Sequence, residues 1–267
     1  MRIALLSLIV VFAALAACSE ASEPLFEPPE GGITAPVEAV TGALSFNVMI
    51  DSQSQEIRLA MLETPEAEAT RAALEAALQG QQVIISPLQE DADRYGRLIA
   101  KVWARTEGAE MAGQSLQRHM IETGWARVLS YPDNAPDDVA ALLALEAEAR
   151  AEGRGLWADP DYRVRDTDPD MLIQDVGRLQ LVQGRIMDIA ILQSGRTYLN
   201  FGSDWRTDFT IRVDARDAPL FEAAGLDLAS LEGRLVRVRG IIRDENGPMV
   251  RLVHPLRLEI LEDGPEE

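Results

Sequence analysis

Three side chains fall where phosphodiester chemistry would need them. Arg58 and Glu66 stand in the run Arg58-Leu-Ala-Met-Leu-Glu63-Thr64-Pro65-Glu66, and Arg97 closes Asp93-Arg94-Tyr95-Gly96-Arg97. Guanidinium forks match phosphate oxygens in pairs, and a carboxylate set between them can take a proton from water. The same residues have quieter uses. An arginine on a strand is commonly solvated or ion-paired, and Arg58 could simply bridge Glu63 or Glu66. Glu66 in the first turn of a helix would complement the helix dipole. On the residues alone, both readings stand.

The surrounding pattern predicts the elements that must hold these groups. Leu44–Ile50 and Glu56–Met61 read as strands, joined by a polar turn over Asp51–Gln55. Thr64 is the expected cap of a helix with Pro65 at its first position, where a missing amide costs nothing. Leu74 and Leu78, with Ala73 and Ala77, form that helix's buried stripe. Gln82–Pro87 and Leu98–Trp103 supply further strands, and Leu116–Thr123 a short helix stopped by Gly124. A last helix starts at Asp137 or Asp138, turns Leu142, Leu145 and Ala149 to one side, and ends at Gly153.

Taken in order, the stretches RLAMLETPE, DRYGRLIAKVW and LQRHMIETGWARVLSYPD, with the following ALLALEAEARAEGRGLW, resemble the staphylococcal nuclease (thermonuclease) family from about Val37 to Trp157. The resemblance implies an α+β fold, a five-stranded OB-type barrel with three helices. It also implies calcium-dependent hydrolysis of DNA and RNA. Carried over residue by residue, Arg58 and Arg97 would hold the scissile phosphate and Glu66 would act as base on water. Tyr95 would line the nucleotide pocket, and Tyr131 is a second candidate wall.

The metal ligands depart from the family pattern. Leu44 stands where the family carries a calcium-binding Asp, and leucine offers no oxygen to a hard cation that takes six to eight. The second metal Asp is replaced by Glu63, one methylene longer. Asp51, seven residues before Arg58, reads as a turn residue. The expectation is a phosphodiester-binding site with weakened hydrolysis. The alternative is an inactive nuclease fold kept as a binding or interaction module.

Composition fixes the setting. The chain has 267 residues and a formal net charge of -19. Residues 36–165 hold 12 Lys/Arg against 21 Asp/Glu, and 166–267 hold 12 against 19, so both halves are acidic. A polyanion meets a repulsive field, and nucleic-acid or nucleotide affinity must come from a local arginine cluster and be salt-sensitive. Residues 1–18 read as a lipoprotein signal: Arg2, an apolar run over Ile3–Ala17, and Cys18 in a LAAC box. The run is shorter than the roughly 20 apolar residues a span requires. Cys18, the single cysteine, would carry the lipid, and Ser19 resembles the pattern that sorts lipoproteins to the outer membrane, facing the periplasm. Residues 19–36 read as a flexible tether and 37–165 as the nuclease-like domain.

Residues 166–176 form an acidic linker and 177–262 a second domain, expected to be a small OB-like β-barrel whose partner the sequence does not name; 263–267 are an acidic tail. Five strand-like runs fill the second domain, and Asp244-Glu245-Asn246-Gly247 marks a hairpin. Tyr198, Phe201, Trp205 and Phe209 lie beside Arg196 and Arg206, which fits either stacking on a ligand or filling a small barrel. Trp103, Trp125 and Trp157 read as core, and His119 and His254 have no partners at ligand spacing.

Overall fold

A computed structural model describes residues 27–89, 92–105 and 113–261. The expected signal segment, Cys18, residues 19–26 of the tether and the acidic tail lie outside these residues. Among the described residues no helix is long and apolar enough to cross a membrane.

The first unit runs β1 (Ile33–Gly42), β2 (Ser45–Ile50), β3 (Gln53–Leu59), β4 (Leu62–Glu63), α1 (Ala67–Leu78), β5 (Gln82–Pro87), β6 (Leu98–Ala104), α2 (Leu116–Glu122), β7 (Arg127–Val128) and α3 (Pro136–Ala151). Five strands close a barrel in the order β1-β2-β3-β6-β5, with β5 pairing back onto β1. Period-two alternation fills it: Phe46, Val48, Ile57, Leu59, Val83, Ile85, Ala100 and Val102 are all buried. β3 and β6 run parallel, with Arg58 opposite Ile99. That register puts Arg58 on the outward face of β3, since Ile57 and Leu59 point inward, next to Arg97, which immediately precedes β6.

Three details differ from the sequence expectation. β1 begins at Ile33, inside the expected tether, and pairs Ile33–Pro36 with β5. The β2–β3 turn is only Asp51-Ser52, both at positive φ, which gives a tighter hairpin than a turn over Asp51–Gln55. Helix α1 starts after Glu66, and Glu66 rather than Thr64 is its cap. Thr64 is occupied elsewhere: its Oγ1 accepts the Glu66 amide at 3.1 Å and pairs with Thr70 Oγ1 at 2.7 Å. Gly124 follows α2 at φ +76°, where a side chain would strike the Arg154 carbonyl, and its own carbonyl accepts the Leu156 amide.

The second unit holds α4 (Pro169–Leu172), β8 (Leu179–Arg185), β9 (Asp188–Ile191), β10 (Thr197–Asn200), β11 (Thr210–Val213), α5 (Ala218–Ala223), β12 (Leu235–Asp244), β13 (Pro248–Arg251) and β14 (Leu258–Ile260). It is β-rich as expected, but as a seven-stranded sheet, order β14-β12-β13-β11-β10-β9 with β8 also on β12, rather than five barrel strands. Two expected runs each break in two. At Ile186-Met187 the chain leaves β12 for β10, and at Pro255, which has no amide to donate, a short turn separates β13 from β14. The expected linker is structured, with Leu172 of α4 buried in the second core.

Buried arginines join the two units. Arg239 of β12 pairs with Glu146 of α3 and, at 2.8 Å, with Glu259 of β14. Burial opposes the charge on Arg239, but the two carboxylates outweigh it and raise its pKa. Glu146 also accepts the Val128 amide at 2.8 Å, so one carboxylate ties α3, β7 and β12 together. Arg127 of β7 lies 4.5 Å from the Trp157 ring centre and donates to the carbonyls of Tyr162 and Leu179. Burial, helped by the charges of Arg165 and Arg239, lowers its pKa to about 10.

Candidate functional site

The outward faces of β3 and β6, with the loop after β7, enclose a recess of about 370 Å³. Arg58, Arg97, Asp93, Tyr131, Asp133 and Asn134 are among its lining residues. Two guanidinium groups read from separate motifs therefore share one cavity. Met61, also in the lining, adopts φ +63° while buried, a conformation that costs a non-glycine residue about 1–2 kcal/mol.

Each arginine already has a carboxylate. Arg58 Nη2 donates to Glu63 Oε2 at 3.0 Å and to the Leu62 carbonyl at 3.1 Å. Arg97 donates from Nε and Nη2 to Asp93 Oδ2 at 3.0 and 2.8 Å. Burial pushes Asp93 up, but the Arg97 side chain, the backbone amides of Arg97 and Tyr95, and the Arg97 charge prevail and hold it at about 2. Among the described residues, Nη1 of both arginines has no protein acceptor, so each fork keeps donors for an incoming anion.

The other predicted residues are placed differently. Glu66 is not in the lining of the recess. Its carboxylate accepts the amides of Glu68 at 3.1 Å and Ala69 at 2.5 Å, which is helix capping. The expected convergence of Arg58, Glu66 and Arg97 on one space thus holds for the arginines only. Tyr95 stands beside the recess, outside its lining, with the guanidiniums of Arg94 and Arg97 4.7 and 4.9 Å from its ring centre. Tyr131 lines the recess and is half exposed.

A calcium donor set is not assembled by these side chains. Leu44 is buried in the barrel core rather than at the floor of the recess, and its carbonyl is occupied by the Leu59 amide. The two oxygens of Glu63 are engaged by Arg58 and, at 3.1 Å, by the Thr64 amide. Asp51 sits in the turn between β2 and β3. Among the described residues no three His, Cys, Asp or Glu side chains group at metal-binding distance.

Two contributors were missed from sequence. Asp93 was visible in its motif, where an acid four residues before Arg97 in a turn signals an ion pair. Arg257, from the second unit, lies 4.9 Å from the Tyr131 ring centre and donates to the Ser130 carbonyl. Nothing local to Arg257 signals that contact.

Residues 51–159 match the family described as staphylococcal nuclease homologue. A curated relative named Protein ParB, from Escherichia coli, is 32% identical over 123 residues, covering 43% of this chain and 67% of the relative. A protein named micrococcal nuclease, from Shigella flexneri, is 28% identical over 122 residues, 44% of this chain and 69% of its own length. An uncharacterized endonuclease of Escherichia coli O157:H7 is likewise 28% identical over 122 residues, 72% of its length.

Proposed function

Because this chain belongs to the staphylococcal nuclease homologue family, we propose that its first unit binds a phosphodiester or terminal nucleotide phosphate between Arg58 and Arg97 and hydrolyses it slowly. One observation carries the reading: both guanidiniums line the same recess, each with donors left over. The two cations would neutralise the phosphate oxygens, and Tyr131 would lie against the sugar or base. A fast attack needs a base on water. The carboxylate that the family resemblance assigns to that step, Glu66, is held by two amides of α1. Slow turnover follows from that engagement and from the missing donor at Leu44.

Isothermal titration of the full chain with a nucleoside 3′,5′-bisphosphate at low salt tests the binding step. Cleavage of single-stranded DNA with and without added calcium tests the chemistry. Binding that disappears in Arg58→Ala/Arg97→Ala supports the site; no binding at millimolar ligand ends it. The alternative, an inactive binding module, is favoured by the two engaged carboxylates, and binding without detectable cleavage would select it. From the LAAC pattern we further propose lipid attachment at Cys18 and residence in the cell envelope. Release of a Cys18→Ser chain from the membrane fraction would support this, and unchanged retention would refute it.

A further inference from the structure

The second unit has a recess of its own. In β9, β10, β11 and β13, Ile189, Leu199, Ile211 and Val250 form one cross-strand row that packs into the core. The alternate row, Asp188-Asn200-Thr210-Met249, therefore faces outward. An outward row should be wet, yet Asn200, Thr210 and Met249 are buried. The loop carrying Trp205 and the β12–β13 hairpin carrying Asn246 border this row, and Gly247 of that hairpin packs against the Thr207 carbonyl. What remains between them is a cavity of about 370 Å³, within the range of small-molecule sites.

Its lining has two characters. Trp205, Tyr198, Leu192, Ala190 and Met249 offer apolar and aromatic surface. Asp188, Asn200, Thr210 and Asn246 offer polar groups, already ordered: Asn200 Nδ2 donates to Asp188 Oδ2 at 3.2 Å, and Thr210 Oγ1 donates to Asn200 Oδ1 at 3.3 Å. Trp205 is 52% exposed, with the Arg206 guanidinium stacked 4.4 Å from its ring centre.

Charge narrows the occupant. Among the described residues, Asp188 is the only charged one in the lining. Of the nearby cations, Arg196, Arg212 and Arg251 all pair with Asp214, and Arg212 also with Glu245, while Arg206 stacks on Trp205 outside the lining. A phosphate would meet a carboxylate, in a half of the chain with an acid excess. A ring with an apolar face and hydroxyls on its edge meets an aromatic platform and a row of acceptors.

We propose that this recess binds an uncharged sugar ring of an oligosaccharide, with Trp205 and Tyr198 against the ring face and Asp188, Asn200 and Asn246 on its hydroxyls. The test is titration of the full chain with a panel of neutral tetrasaccharides, those of β-1,4-linked N-acetylglucosamine and of β- and α-1,4-linked glucose. At least one should bind in the millimolar range or tighter. Trp205→Ala, a change at an exposed side chain, should weaken that binding by about tenfold or more, and Asp188→Asn should weaken it too. Arg58→Ala/Arg97→Ala should leave it unchanged, which separates this site from the recess of the first unit. The proposal falls if none of the panel binds, if binding survives both Trp205→Ala and Asp188→Asn, or if thymidine oligonucleotides bind at Trp205 instead.

Discussion

Arg257 lies over the ring of Tyr131 at 4.9 Å, so a side chain of the second unit supports a wall of the recess in the first. Burial lowers the Arg257 pKa to about 10, which still leaves it charged at neutral pH. Contacts of this kind contribute about 0.5–2 kcal/mol. Arg257→Met should therefore weaken nucleoside bisphosphate binding several-fold while Arg58 and Arg97 remain intact. Titration at low salt is the measurement, and wild-type affinity would show that the wall stands without support.

Glu66 is expected to matter for stability. Removing the cap in Glu66→Ala should cost about 1 kcal/mol, and Glu66→Ser, which keeps an acceptor at the cap, should recover most of it. Urea denaturation of the pair reads this out directly. Equal losses in both would mean the carboxylate is needed for something other than the amides of Glu68 and Ala69.

The barrel was legible because its strands alternate cleanly, and the end of α2 because Gly124 marks it. β1 was hidden because Pro36 and the polar neighbours of Ala35 mask its alternation. The two arginines of the recess were legible as a motif. The capping contacts of Glu66 were not, because a base and a helix cap look alike in a sequence. Nothing near Arg239 or Arg257 in the sequence signals their contacts, since their partners lie far away in the chain.

Acid should weaken the loop that carries Arg97. Asp93 has a folded pKa near 2, below the ordinary carboxylate value of about 3.9. A depressed carboxylate stabilises the fold above its unfolded pKa, and the contribution fades as pH falls from about 4 through about 2. Asp93→Asn should therefore be less stable than wild type at neutral pH and lose less on acidification across that window. Tm measured against pH decides the matter, and parallel curves would exclude the effect.

Removing Glu146 would leave buried Arg239 with Glu259 as its remaining carboxylate and free the Val128 amide. Glu146→Ala should cost about 3 kcal/mol, toward the low end for a broken buried pair because Glu259 still faces Arg239, whereas replacing the pair with leucine and methionine should restore part of the loss. Denaturant titration of the two variants tests this, and an equal loss in both would locate the cost in packing instead of charge.

The carboxylate shared by α3, β7 and β12 also bears on ancestry and engineering. An appended module that arrived as a passenger could be clipped off and leave its host intact. Here clipping would uncover the buried Glu146 side chain, along with a tyrosine deprived of its brace. A shortened chain holding the first unit alone would therefore need the exposed seam redesigned rather than merely cut along.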